Sequence, residues 1–160
     1  MAEEFNDLSF GDETRRNGDY VSLPVDENAS ADAREGDAVG LDGDGYIVQA
    51  GDGVTGAIGV LYTYQYFEQA NAGEQIDYDR DATVKVGGTV KAWVDDGVSA
   101  GDDLTVDATP GQFETGDGDN ETANYVAIRD AAEQVGGPRN ESQHIDDDRD
   151  GEYFAEVLLR

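Results

Sequence analysis

Residues 95–113 read DDGVSAGDDLTVDATPGQF, and residues 32–46 read DAREGDAVGLDGDGY. Each stretch contains Gly-Asp, then a short apolar run, then an acidic turn rich in glycine, and then an aromatic residue. Asp-Gly dipeptides between apolar runs are a strong signal for a β-hairpin. The recurrence predicts two similar units of several strands each, over about residues 33–67 and 95–133.

Short apolar runs with the same turn chemistry flank these units. YVSLPV, at residues 20–25, predicts a strand at a sheet edge or a strand end, because proline has no backbone N–H to donate. EYFAEVLLR, at residues 152–160, predicts a closing strand. Short strands separated by Gly and Asp turns are typical of β-sandwiches and β-barrels. We therefore expect an all-β domain over residues 20–160, folded as a small β-barrel or β-sandwich.

A tyrosine-rich strand is predicted in GAIGVLYTYQYF, at residues 56–67. Alternation would place one set of positions on a single face. That set is Ile58, Val60, Tyr62, Tyr64 and Tyr66. The stripe is interpreted as a half-buried sheet face whose hydroxyls reach water or a partner, and a platform for stacking bases or sugars is the alternative. The following residues 68–82 read as a polar insertion.

The run ATVKVGGTVKAWV, at residues 82–94, alternates apolar and polar positions. If the register holds across Gly87–Gly88, then Lys85, Lys91 and Trp93 share an outer face opposite the valines. The glycine pair forms a bulge or tight turn in the alternative, which breaks this register. The outer face is either a solvated one or a patch that contacts a partner, since tryptophan is favoured in interfaces.

The chain carries 37 acidic and 10 basic residues, for a formal net charge of -27. Disorder is one interpretation, but a hydrophobic content of 38% and regular alternation favour a folded protein from a salty cytoplasm, where charges are screened. The acidic balance argues against nucleic acid and an anionic membrane as partners, because phosphate contacts need clustered Lys and Arg.

Residues 1–19 are polar, with scattered apolar and basic positions, and are predicted to form an extended arm. Its candidate anchors for a partner are Phe5, Leu8, Phe10, Arg15 and Arg16. A frayed terminus is the alternative interpretation. The first ten residues resemble no signal peptide, so the cell interior or a particle assembled there is expected.

The side chains that carry most enzyme chemistry are scarce. The single histidine, His144, lies in a polar acidic stretch, there is no cysteine, and no phosphate-binding loop motif occurs. Pairs of carboxylates are expected by chance in so acidic a chain, so none is singled out as a glycosidase pair. We therefore expect a protein that is not an enzyme and has no cofactor.

One acidic loop resembles part of a cation site. Asp146, Asp148 and Asp150 match the first half of an EF-hand loop, but the twelfth position is Val157 in place of glutamate, which rejects a true EF-hand. The loop is either a loose site for Na, K, Ca or Mg ions or an acidic solvated turn. A cation-dependent enzyme built on this cluster is a weaker rival hypothesis.

The C-terminal two-thirds resembles the capsid cement, or head-decoration, proteins of tailed viruses. The motifs that carry the resemblance are a Val-rich strand, an A-G-D-x-L turn, a T-P-G turn, a strand with the pattern x-A-I-x-x-A, and a terminal Val-Leu-Leu. They occupy residues 84–94, 97–104, 108–113, 126–132 and 155–159. The stretch 36–58 looks like an earlier copy of the same pattern.

The resemblance implies a compact, β-tulip-like barrel without catalysis. Such a protein binds the major capsid protein on the outer surface of an icosahedral virion, commonly as a homotrimer, and bridges neighbouring capsomers after assembly in the host cytoplasm. The acidic composition suggests a haloarchaeal tailed virus. A vertex turret protein and a halophilic module that binds a carbohydrate or another ligand are the alternatives.

Overall fold

The computed structural model describes residues 19–25, 33–51, 56–69, 77–116, 125–135 and 149–159, with the backbone alone for 64–69 and 77–80. The strands of these residues are β1 (Tyr20–Pro24), β2 (Ala38–Leu41), β3 (Ile47–Gln49), β4 (Gly59–Gln69), β5 (Asp77–Lys85), β6 (Gly88–Trp93), β7 (Leu104–Thr105), β8 (Glu114–Thr115), β9 (Tyr125–Ala127), β10 (Ala132–Glu133) and β11 (Tyr153–Leu159). The expected all-β class is confirmed. No helix among these residues is long and apolar enough to cross a membrane.

The first sheet has five antiparallel strands in the order β1-β5-β4-β2-β3. β1 lies at its edge, as the YVSLPV run predicts, and Pro24 is its last residue. A single parallel bridge between Val25 and Ile47 brings the two edges of the sheet together at one point. Among the described residues no sheet closes, so the barrel form is not confirmed.

The closing strand β11 is the centre of a second sheet. It pairs with β6 on one side and with β9 and β10 on the other. Its residues from Phe154 to Val157 are buried without alternation, which is the pattern of a strand covered on both faces. β7 and β8 form a separate hairpin.

Two apolar clusters lie on opposite faces of the first sheet. One contains Val60 with Val90 and Val157, and so joins the first sheet to the second. The other contains Leu61 with Val84. Neighbouring residues of β4 thus enter different clusters, as strand alternation requires.

The chain changes sheets at Gly87–Gly88, because β5 belongs to the first sheet and β6 to the second. Gly88 has a φ of 84°, a left-handed value that favours glycine. Val84 and Val90 accordingly lie in different apolar clusters. The glycine pair therefore forms a turn between sheets, and the continuous register across it is not observed.

The hairpin between β2 and β3 is closed by its acidic turn, as the Asp-Gly signal predicts. Asp42 Oδ1 accepts hydrogen bonds from the backbone N–H of Asp44 and of Tyr46, each at 2.9 Å. Gly45 has a φ of 86°, which a residue with a Cβ rarely adopts. The two N–H groups in the turn thus donate to the carboxylate of Asp42 instead of to a backbone carbonyl of a neighbouring strand.

The unbroken alternation that the tyrosine stripe requires is not observed in the backbone register of β4. The register between β4 and β5 shifts between Leu61 and Thr63, which leaves Tyr62 as the extra residue of a bulge. Val60 therefore opposes Lys85, whereas Tyr64 opposes Ala82, a position on the other face. The predicted polar insertion 68–82 is also wrong in part, because Glu68 and Gln69 end β4 and Asp77–Lys85 forms β5.

Candidate functional site

The two sheets are joined by backbone hydrogen bonds at Gly36. Gly36 N–H donates to Leu61 O at 2.9 Å, and Gly36 O accepts from Trp93 N–H at 2.9 Å. Leu61 N–H in turn donates to Asp37 O at 2.9 Å. Since Leu61 lies on β4 and Trp93 on β6, one residue bridges both sheets through its own peptide groups.

The carboxylate of Asp37 is buried beside this junction. Its Oδ2 accepts hydrogen bonds from Arg34 N–H at 2.8 Å and from Gln49 Nε2 at 2.9 Å. Its Oδ1 accepts one from Arg149 Nη1 at 2.8 Å. Burial raises the pKa of Asp37 above 3.8, against the opposing effect of the Arg149 guanidinium. The hydrogen bonds compensate part of the cost of taking this charge out of water.

Arg149 reaches this carboxylate from the second sheet, because it lies just before β11. Its side chain is fully buried, and Nη1 also donates to Glu35 O at 2.7 Å. Its Nε donates to Glu152 Oε2 at 2.5 Å. Its backbone φ is 55°, an uncommon value for a residue other than glycine, so the buried guanidinium holds a backbone geometry that the chain disfavours.

Aromatic rings and a second arginine complete the group. The Arg149 Cζ lies 4.7 Å from the centre of the Trp93 ring, and the Arg34 Cζ lies 4.9 Å from it. Arg34 Nη2 donates to Glu152 Oε1 at 2.7 Å, so one carboxylate binds both guanidinium groups. We call the set Arg34, Asp37, Trp93, Arg149 and Glu152 the Arg149 cluster. It ties the start of β11 to the residue before β2.

The backbone hydrogen bonds of this junction recur in the second of the two similar units, residues 95–133. Gly101 N–H donates to Ala127 O at 2.7 Å, and Ala127 N–H donates to Asp102 O at 3.0 Å. These bonds match those that Gly36 and Asp37 form with Leu61. Gly36 and Leu61 are 25 positions apart, and Gly101 and Ala127 are 26 apart. The hydrogen bonds thus equate Ala127 with Leu61.

The two aspartates of these junctions differ in their surroundings. Asp102 Oδ2 accepts from Ser99 N–H at 2.8 Å, just as Asp37 does from Arg34 N–H. Asp102 is half-exposed, however, and its Oδ2 also accepts a hydrogen bond from Thr115 Oγ1 at 3.0 Å. The same turn therefore carries a buried, arginine-paired carboxylate in one unit and a solvated carboxylate in the other.

The expectation that Lys85 and Lys91 lie on an exposed outer face is wrong. Both side chains are buried, and each ammonium group donates within the domain. Lys85 Nζ donates to Thr89 O at 2.7 Å, and Lys91 Nζ donates to Gln134 Oε1 at 2.6 Å. The face that alternation makes polar is covered by neighbouring segments, which a single strand pattern does not reveal. Trp93 is half-buried, against the two arginines.

Several sequence-predicted positions lie outside the described residues. They are Phe5, Leu8, Phe10, Arg15, Arg16, His144, Asp146 and Asp148. Asp150 is described and exposed. In the part of the chain that the structure describes, no group of three or more His, Cys, Asp or Glu side chains is arranged to hold a metal ion.

Sequence reasoning missed the Arg149 cluster. Arg149 lies between Asp148 and Asp150, at a position for which the EF-hand-like motif specifies no residue type. The available signal was a basic residue inside an acidic run, in a chain with ten basic residues in all. An arginine in such a run either lowers local repulsion or binds a distant carboxylate, and only the tertiary structure distinguishes these roles.

No protein-family model and no curated protein sequence matches the chain. Two solved structures are similar. The C-terminal fragment of bacteriophage phi29 gene product 12 is 16% identical, with a TM-score of 0.49 over 89% of this chain and 99% of that one. The pre-mature bacteriophage phi29 gene product 12 is 16% identical, with a TM-score of 0.51 over 96% of this chain. This chain covers 22% of that longer protein and shares the fold of that part.

Proposed function

We propose that the protein is a non-enzymatic structural component of a virion, which decorates the outer surface of an icosahedral capsid and bridges neighbouring capsomers. The observation that supports this most directly is the fold shared with part of a bacteriophage protein over 96% of this chain. The capsid-cement motifs of the sequence point to the same class of protein. The proposal includes a homotrimer, the major capsid protein as its partner, and a haloarchaeal tailed virus as its source.

The use of charged side chains supports a structural role. Asp37, Arg149, Lys85 and Lys91 are buried, and each is hydrogen-bonded within the domain. Groups that would otherwise be candidates for acid–base chemistry thus connect strands and sheets. Burial of charge is costly unless the charge is paired, and a paired network removes alternative packings. Such a module suits a protein that must keep its shape on a shell.

The surface charge sets the conditions under which the protein could bind a capsid. With a net charge of -27, copies repel one another and an acidic shell in dilute buffer. At molar ionic strength the Debye length falls to about 3 Å, so apolar contacts and hydrogen bonds decide binding. Cations then act by screening, and we propose no cofactor. Many weak contacts per shell sum through multivalency.

Co-sedimentation with undecorated shells at multimolar KCl tests the proposal. We expect the full chain to pellet with shells and to raise their resistance to dilution or heat. Deletion of residues 1–19 tests the proposed arm. A matched variant keeps the length and charge of the arm but replaces its three apolar anchors, as Phe5→Ser, Leu8→Ser and Phe10→Ser. If the full chain is folded but does not pellet with shells, the capsid role is overturned.

A further inference from the structure

One edge of the first sheet is suited to pair with another strand. β1 has a strand partner on one side only among the described strands, namely β5. The bridge between Val25 and Ile47 lies just beyond the C-terminal end of β1, so the part of this edge with no described strand opposite it is Val21–Pro24. Edge strands of this kind are templates for pairing with a second chain unless they are protected.

The direction of each backbone group in β1 follows from its register. Asp19 O accepts from Val86 N–H at 2.8 Å, and Tyr20 lies opposite Lys85. In an antiparallel pair the groups that face the partner alternate along the strand. The N–H and C=O of Ser22 therefore face away from β5, and Ser22 is exposed. Pro24 also occupies an outward position, where proline is tolerated because no N–H is needed there.

The chemistry of this edge differs from that of the whole chain. β1 reads YVSLP and contains no charged residue, whereas 29% of the chain is charged. Val21 is 38% exposed and Tyr20 is 39% exposed. The ammonium group of Lys85 lies 5.4 Å from the centre of the Tyr20 ring and so adds positive charge behind the edge. Proteins protect exposed edges with charges, with proline or by keeping the strand short; this five-residue edge carries no charge, and its one proline, Pro24, lies at its end.

We propose that β1 pairs with β1 of a second copy of this chain, antiparallel and centred near Ser22. Two copies with a net charge of -27 can approach with least repulsion where the paired strands themselves carry no carboxylate, which favours an uncharged strand against itself. The exposed Asp19 precedes β1, so in an antiparallel pair the two copies of Asp19 would lie at opposite ends. An antiparallel pair of identical strands is related by two-fold symmetry, so both copies use the same surface. This contact would link units, such as the proposed trimers, in pairs. It does not depend on the capsid role.

Two backbone variants test the pairing in the full chain at multimolar KCl. Ser22→Pro removes an outward N–H without removing a bond to β5, and Ser22→Ala keeps that N–H and is the control. We expect the wild type and Ser22→Ala to double the mass of their unit at high concentration, by light scattering. Ser22→Pro should weaken this association on the order of 30-fold, since two hydrogen bonds are lost. Equal association of Ser22→Pro and Ser22→Ala, or no doubling of the wild type, would overturn the proposal.

Cross-linking tests the geometry even if Ser22→Pro disturbs the fold. The chain has no cysteine, so one introduced thiol is a unique reporter. In a pair centred on Ser22 the two Cα atoms would lie about 5.5 Å apart, within the range of a disulfide. We expect Ser22→Cys to form a covalent dimer on mild oxidation, whereas Leu41→Cys, also at an exposed position, should not. If Ser22→Cys forms no covalent dimer, β1 does not pair with a second copy, and the proposal is overturned. If Ser22→Pro loses shell binding while the mass of its unit stays that of the wild type, β1 contacts the shell instead of a second copy.

Discussion

Arg149 Nη1 donates to Asp37 Oδ1 over 2.8 Å, and both side chains are completely buried. The two residues are 112 positions apart in the sequence. Asp37 lies just before β2, and Arg149 lies just before β11. A buried pair of this kind is costly to break, because removal of one partner leaves an uncompensated charge in the interior. The stability of the junction between the sheets should therefore depend on this pair.

Asp37→Asn should lower the free energy of unfolding by about 3 kcal/mol, because Arg149 loses its fully buried counter-charge and keeps only the partly exposed carboxylate of Glu152. Asp102→Asn is the matched control, since Asp102 forms the same backbone turn but is half-exposed and bonded to Ser99 and Thr115. Its expected cost is about 1 kcal/mol or less. Urea unfolding at multimolar KCl measures both values. Equal costs for the two variants would show that the arginine pair contributes nothing special.

Arg149→Met should destabilise the protein most at neutral pH and less in acid. Burial already raises the pKa of Asp37 above 3.8, and loss of the guanidinium removes an effect that lowers it. The folded variant then binds a proton that the unfolded chain has released, so its free energy of unfolding rises as the pH falls towards 3.8.

The measurement is the difference in the free energy of unfolding between wild type and Arg149→Met, followed from neutral pH downward towards 3.8. The same comparison in an Asp37→Asn background is the control, because the titrating group is then absent. A difference that stays constant with pH in the Asp37 background would contradict the prediction.

Tyr125 should make the protein sensitive to alkali. Its hydroxyl donates to Ala57 O, and burial raises the pKa of Tyr125 to about 12. The folded state keeps the phenol proton after the unfolded chain releases it near pH 10, so the free energy of unfolding falls between pH 10 and about 12. Tyr125→Phe should lose this component and cost about 1 kcal/mol at neutral pH.

Absorbance at alkaline pH identifies the titrating group by difference between wild type and Tyr125→Phe. Tyr46→Phe, which also removes one phenol, is the matched control for the size of the signal. If the difference signal appears at the same pH as the signal of the other tyrosines, the phenol of Tyr125 is not buried in solution, and the prediction is wrong.

Gly111→Ala should cost more than Gly101→Ala, although both glycines have left-handed backbones, with φ of 83° and 93°. A Cβ at Gly111 would lie 3.2 Å from Asp37 Cγ and 3.1 Å from Gln49 Nε2, whereas a Cβ at Gly101 would meet nothing within 4 Å. The backbone strain of about 1 kcal/mol is common to both. We expect about 1–3 kcal/mol more for Gly111→Ala, by urea unfolding. A smaller cost than that of Gly101→Ala would show that the buried carboxylate moves freely.

Local signals in the sequence were sufficient for several strands and turns, although not for the end of β4 or the start of β5, which read as a polar insertion. Apolar alternation and Asp-Gly dipeptides predicted the hairpin of β2 and β3, the edge position of β1 and the closing strand β11, and the structure confirms each of them. These features depend on neighbours within a few residues, where the backbone preferences of Gly, Pro and Asp decide the conformation.

The faces of the strands and the pairing of buried charges depended on distant parts of the chain. One extra residue at Tyr62 shifted the register of β4 against β5, and neighbouring segments covered Lys85 and Lys91. Composition and alternation established an acidic, all-β chain by themselves. Only the tertiary structure decided that Arg149 binds Asp37, because a buried charge takes whichever partner the folded chain brings within hydrogen-bonding distance.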